Sequence, residues 1–244
     1  MVFKSAKPEY EKLLINIRDY FKESQDSIHK ARNEIKILDY KNQKLVVKAF
    51  KIPNLFNKIV YTFFRGTKAK KSYENSLRIS NFVPQAIGYI EFRKFGLLSD
   101  SYFISEQFEC NFTIREVIIE AEFKDRENIF KELAKFTFLL HEDGILHKDY
   151  SPGNILIKVS ENAYEFKIVD INRMEFKELN VDDRLKNFSQ LWVKDSDLKI
   201  IIDEYSKLIS EDEEACFKKA VEYSQKHKDR KNFKKRLKGR EVVD

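Results

Sequence analysis

The sequence predicts an α+β protein of two contiguous lobes, the first an antiparallel sheet with one main helix and the second reduced and mostly helical. Two of the three observations behind this are compositional. With 244 residues, 42% of them hydrophobic and 14% aromatic, the chain can bury two substantial cores. Six Gly and four Pro are too few for a turn-rich all-β fold. The third is a change of period: apolar residues alternate in short runs up to about residue 108 and then recur at helical spacing. No internal repeat or low-complexity linker intervenes, so the division falls at residues 1–108 and 109–244.

The first lobe opens with PEYEKLLINIRDYFKES, where Leu13, Leu14, Ile17 and Phe21 lie at helical intervals, so a short amphipathic helix is expected as a lid or brace. Three short strands follow. Among them Glu34 to Leu38 and Leu45 to Phe50 flank the polar turn DYKNQK, which places Lys48 inside a strand. A helix is predicted from about Thr67, with Tyr73, Leu77 and Phe82 on one face and Pro84 as its stop. QAIGYIEF and SYFISEQF read as two more strands, and Gly96 and Asp100 suit the hairpin between them.

In the second lobe TIREVIIEAEF predicts a short helix. Asp125 is placed to cap the next one, RENIFKELAKFTFLLHED, whose Ile129, Leu133, Phe136 and Leu140 make an apolar stripe widened by Phe130 and Ala134. Gly144 supplies its stop. A loop leads to two strands, NILIKV and FKIVD, around the turn SENAY, the second ending on Asp170. The remainder is helical, with Ser210 and Glu213 as a capping box for a helix that starts acidic and ends basic.

The formal charge of +6 is unevenly placed. Residues 226–240, KHKDRKNFKKRLKGR, hold nine Lys/Arg and one Asp, a net +8, which leaves −2 for the rest. Such a segment suits an anionic membrane surface, RNA phosphates, or the solvated end of a helix; DNA is not expected, and RNA is the weaker of the polyanion readings. Cys110 and Cys216 form no CxxC and no disulfide framework, so a reducing, cytoplasmic setting is expected. No apolar run nears the roughly 18 residues of a membrane span, and no apolar leader opens the chain, which allows at most a peripheral place on the inner face of the cytoplasmic membrane. His29 and His141 have no acidic or Cys cluster at ligand spacing, and no zinc site is expected.

The chemistry is concentrated in HEDGILHKDYSPGNILIKV, where His147, Asp149 and Asn154 are spaced as His-x-Asp-x-x-x-x-Asn. Phosphoryl transfer needs a base-like group at the acceptor, metal-bridged phosphates and a cation on the nucleotide, because positioning and charge stabilisation are most of the catalysis. Asp149, in a loop after a helix, is placed to orient and deprotonate an acceptor hydroxyl. Asn154 and Asp170, at the ends of a hairpin, offer hard oxygens to Mg²⁺. Lys48 in VVKAF matches a strand lysine that reaches the α and β phosphates of ATP. A half-buried Lys demands an anionic partner, and Glu74 is the acid that the following helix offers. His147 reads as structural, bonding backbone near the loop.

These residues and the stretches around them, from ARNEIKILDYKNQKLVVKAFK through TKAKKSYENSLR and LLHEDGILHKDYSPGNILI to FKIVDINRM, resemble the protein-kinase-like superfamily. Within it the chain is similar to the lipopolysaccharide kinase (Kdo/WaaP) family, whose members phosphorylate a sugar of the lipopolysaccharide inner core. The resemblance implies a bilobal kinase-like fold, ATP and Mg²⁺ as cofactors, and a glycolipid acceptor. It makes Asp149 the catalytic Asp, Asn154 and Asp170 the metal ligands, and Lys48 and Glu74 the nucleotide-lysine pair.

Three departures from ordinary protein kinases stand out. KARNEIK replaces the glycine-rich loop, so Arg32 and Asn33 are expected to meet the nucleotide with side chains in place of backbone N–H groups. Ile171 and Asn172 follow the metal Asp where Phe and Gly are usual. Ser151 stands two residues past Asp149 where a Lys is expected, and no A-P-E segment follows, which favours a small or glycolipid acceptor over a protein. The rival readings are a small atypical Ser/Thr kinase, an aminoglycoside- or choline-type phosphotransferase, and a nucleotide-binding scaffold without catalysis.

Overall fold

Alternation in the first hundred residues becomes an antiparallel sheet. A computed structural model describes residues 1–30, 33–50, 54, 66–161 and 163–239. The chain divides into two units, Met1–Glu109 with Asp170–Asn172, and Cys110–Val169 with Arg173–Asp244.

In the first unit β1 (Val2–Ser5), β2 (Ser27–Lys30), β3 (Glu34–Tyr40), β4 (Gln43–Phe50), β5 (Ala86–Lys94) and β6 (Leu97–Glu106) form a six-stranded sheet in the order β1-β5-β6-β4-β3-β2. Residues of a strand alternate between faces, so β4 serves two cores. Leu45 and Val47 join Leu13, Leu14, Ile17 and Phe21 of α1 (Glu11–Ile15) and α2 (Ile17–Glu23). Phe50, and with it the register of Lys48, belongs to the other face, where Ala69 and Tyr73 of α3 (Lys68–Arg78) pack on Ala86 and Tyr89. Each fully buried Leu or Ile in such a core contributes about 1.5–3 kcal/mol. Gly88 lets β1 and α1 close in: a Cβ there would lie 2.6 Å from the Lys4 carbonyl oxygen and 2.9 Å from Leu14 Cδ1.

Two expectations for this unit are corrected. Leu77 is 51% exposed, because α3 buries Ala69, Ser72, Tyr73 and Ser76 instead; small side chains let the helix sit close to the sheet. Asp100 lies inside β6 and takes Arg18 in an ion pair, while the hairpin turn is made by Phe95 and Gly96, both at positive φ, as a two-residue turn requires.

The second unit holds β7 (Phe112–Thr113), α4 (Ile114–Ile119), α5 (Arg126–Glu142), β8 (Ile145–His147), β9 (Ile155–Ser160), β10 (Ala163–Ile168), β11 (Met174–Phe176), α6 (Val181–Phe188), α7 (Asp195–Ile209) and α8 (Glu213–Arg236). The strands form two small sheets, β10-β9-β7 and β11-β8. The stripe of α5 is buried at Ile129, Phe130, Leu133, Ala134 and Leu140, and Phe136 stacks on Phe166 with ring centroids 5.3 Å apart. Arg126 forks onto the buried carboxylate of Asp197, joining α5 to α7.

Two expected caps are also corrected. Asp125 precedes α5 but, at φ 59°, accepts from Tyr164 Oη and Asn128 Nδ2 instead of from the helix backbone. Ser210 ends α7 in the left-handed region, and Asp212 caps α8 by accepting from Ala215 N at 2.7 Å. Among the described residues no helix is long and apolar enough to cross a membrane.

Candidate active site

Residues predicted from sequence for the site occur in both units. In the second, β8 runs into the loop of His147, Asp149 and Asn154, which a short turn at Pro152–Asn154 joins to β9. His147 is buried, and its Nδ1 accepts from Asp149 N at 3.0 Å. That bond puts the imidazole proton on Nε2, which donates to Val169 O at 3.0 Å. One neutral ring thus ties the backbone of Asp149 to the residue that precedes Asp170. The structural role read from sequence for His147 has this geometry.

Asn154 completes the frame. Its Nδ2 donates to Asp149 O at 2.9 Å, and its carbonyl accepts from Val169 N at 2.9 Å. With the amide nitrogen committed, Oδ1 is the side-chain atom of Asn154 left to meet a cation. Beneath the loop, Asn187 Nδ2 and Gln190 Nε2 both donate to His147 O, at 3.0 and 3.3 Å, and Gln190 Oε1 accepts from Tyr150 N at 3.1 Å. Tyr150 is fully buried with its hydroxyl 2.7 Å from Thr137 Oγ1, and burial pushes its pKa up. Asn187 also bonds His141 through Oδ1, at 3.1 Å, and Tyr205 Oη holds the other imidazole nitrogen at 2.7 Å. Burial drives the His141 pKa down to about 4, so at neutral pH this ring is an uncharged link in the frame.

In the first unit Lys48 projects from β4 and its Nζ lies 2.8 Å from Asp170 Oδ1, with side-chain exposures of 13% and 30%. Asn172 Nδ2 donates to the same oxygen. Asp170 sits at φ 58°, a left-handed conformation that Asp tolerates when its short side chain is held locally. Sequence assigned Asp170–Asn172 to the second lobe; these three residues pack with the first.

The expected pairing of Lys48 with Glu74 is not what forms. Glu74 has 56% of its side chain exposed and pairs with Lys70, 3.7 Å away. The helical register decides this: Tyr73 and Ser76 take the buried positions of α3, which turns Glu74 to solvent, and Asn75 is the neighbour that reaches in, donating from Nδ2 to Ile171 O at 2.6 Å. Asn33 is half-buried at the bend before β3, and Arg32 lies outside the described residues.

Asn75, Asn187 and Gln190 were not singled out from sequence, and Asn172 was noted only as a departure from the usual Gly, with no role. Each acts through an amide aimed at a carbonyl or carboxylate far along the chain or just beside it, and no residue spacing signals that. Among the described residues no cluster of three or more His, Cys, Asp or Glu could hold a metal. An Asp and an Asn oxygen nevertheless fit Mg²⁺, which usually takes one or two protein ligands together with water and phosphate oxygens.

The model of the lipopolysaccharide kinase (Kdo/WaaP) family matches residues 62–211, more than half of the chain. The protein belongs to that family. It is therefore a phosphotransferase with a hydroxyl acceptor, in a family of sugar kinases. The matched span contains Glu74, Asp149, Asn154 and Asp170, while Lys48 lies before it. Among solved structures this kinase is similar to WaaP in complex with acyl carrier protein, at 13% identity and a TM-score of 0.59, covering 93% of this chain and 99% of that one. That likeness supports the protein-kinase-like fold. A weaker likeness, with a TM-score of 0.47 and 14% identity, is to the Rio2 kinase-ADP/Mg²⁺-phosphoaspartate complex from Chaetomium thermophilum, covering 85% of this chain and 65% of that one.

Proposed function

We propose that this kinase transfers the γ-phosphoryl group of ATP, with Mg²⁺, to a hydroxyl of Kdo or another inner-core sugar of lipopolysaccharide. The observation that carries the reading is the pairing of Lys48 with Asp170. A phosphate-seeking cation and a hard-oxygen ligand, distant in sequence, meet in one unit. Asp149 orients the acceptor hydroxyl and takes its proton, and the bonds from His147 and Asn154 fix the backbone on which it stands. Asp170 and Asn154 would hold Mg²⁺, which when bound neutralises charge on the phosphate oxygens. Lys48, exchanging Asp170 for phosphate, would grip the nucleotide. In this reading Asn33, at the bend before β3, takes the part of the glycine-rich loop that covers the phosphates in other kinases, and Arg32, which lies outside the described residues, is expected to share it.

The site of action in this reading is the inner face of the cytoplasmic membrane. Support comes from α8 and the residues after it, where Phe233 is 61% and Leu237 71% exposed amid Lys226, Arg230, Lys234 and Arg236. Apolar side chains ringed by cations suit an anionic lipid surface better than bulk water.

The test is transfer from labelled MgATP to a Kdo-bearing glycolipid, to a generic protein and to water, for the wild type and Asp149→Asn. Transfer to the glycolipid, falling by about 10²–10⁴-fold in the variant, is expected. Label entering protein alone, or glycolipid transfer that survives the substitution, would refute the reading.

A further inference from the structure

Glu74 faces solvent, yet α3 still reaches the metal-binding turn, through the next residue. Asn75 Nδ2 donates to the carbonyl of Ile171 at 2.6 Å, and Ile171 is buried. This carbonyl belongs to the residue immediately after Asp170, whose backbone is left-handed. A non-glycine residue holds that conformation only where its surroundings over-determine it. Three bonds do so here: Lys48 and Asn172 on the Asp170 carboxylate, and Asn75 on the backbone that follows.

The three are not equivalent. Lys48 and Asn172 both hold Oδ1, an atom a cation would compete for, and Lys48 is the group that phosphates would draw away. The Asn75 bond involves neither the carboxylate nor a charge. Neither a metal nor a phosphate would compete for its donor or its acceptor. We propose that Asn75 is a positioning residue that holds the Asp170 turn in its metal-binding conformation, linking α3 to the metal through a neutral amide. The inference rests on the reading of Asp170 as a Mg²⁺ ligand, and it makes metal affinity depend on where α3 sits.

The test is Mn²⁺ binding, followed by electron paramagnetic resonance, to the whole protein saturated with the non-hydrolysable ATP analogue AMP-PNP. Wild type, Asn75→Ala, Asn75→Asp and Asp170→Asn are compared, with thermal melting and metal-free nucleotide affinity measured alongside. Ala favours helix more than Asn does, so loss of α3 is not expected from that substitution. Asn75→Asp keeps the shape and removes the donor.

Both Asn75 variants should weaken Mn²⁺ binding by about tenfold, the worth of one half-buried hydrogen bond, with metal-free nucleotide affinity unchanged. High Mg²⁺ should restore turnover. Unchanged Mn²⁺ affinity in the Asn75 variants, with Asp170→Asn weakened, would overturn the positioning role and leave the Asp170 reading standing. Unchanged affinity in Asp170→Asn would overturn both. A fall in affinity that tracks melting and metal-free nucleotide affinity in both Asn75 variants would make Asn75 merely structural and overturn the proposal.

Discussion

The candidate residues of the two units are held by opposite materials. The loop of the second unit is held by uncharged, mostly buried bonds that run from His141 through Asn187 to His147, and from there to Asp149 and Val169. Those of the first unit form a charged pair, Lys48 with Asp170, on a left-handed backbone. Neutral buried bonds are costly to leave unmade and so keep one geometry. A partly exposed ion pair is worth less and is replaced readily by a better-charged partner. The comparison teaches that the loop is fixed by bonds costly to break, whereas the Lys48–Asp170 pair is free to exchange partners.

The strongest way to break this comparison is acid. In the folded protein the His141 pKa is lowered by burial to about 4, against about 6.5 when unfolded, so between these values the unfolded state binds the extra proton. Stability is full above pH 6.5 and is lost as pH falls through that window, by up to about 3 kcal/mol at 1.36 kcal/mol per unit. Melting followed by fluorescence of Trp192, the one Trp of the chain, reports the second unit and should show the fall; a melting temperature level from pH 7 to 4.5 would refute the frame.

A smaller effect sharpens the other half. Lys48→Met should raise the KM for ATP about 10- to 100-fold, the worth of one hydrogen bond to a charged group, while Trp192 melts as before. A KM that stays put would mean that Lys48 does not leave Asp170 for phosphate. Smallest of all is Glu74→Ala: exposed and paired only with Lys70, it should change stability by less than about 0.5 kcal/mol and the KM for ATP by less than about twofold. A tenfold rise would restore the Lys48–Glu74 pair to the nucleotide-bound state.

Much of the fold was legible because its signals are local. Alternation from Glu34 to Leu38 and the β-rich run from Leu45 to Phe50 predicted most of β3 and β4, though Asp39 and Tyr40, read as turn, belong to β3, and the stripe from Ile129 to Leu140 predicted α5 and most of its buried face. Caps and turns were less legible, since Ser210 and Asp212 are equally plausible caps until the end of α7 is fixed, and Asp100 is a turn residue until Arg18 lies beside it. The site divides the same way. Lys48, Asp149, Asn154 and Asp170 were read as candidates from type and spacing. The amides that hold them were not, because Asn75 and Ile171 lie 96 residues apart and nothing in residue spacing signals the bond between them.

By itself the sequence determined most of the strands and helices, though not β1, β7, β8 or β11, together with the family resemblance and the candidate chemical groups, because periodicity and motif spacing are properties of neighbours along the chain. Only the tertiary structure decided partners. It turned Glu74 outward and Asn75 inward by one step of a helix, gave Lys48 to Asp170, and made His147 a neutral brace, because partner choice depends on which groups burial leaves facing one another.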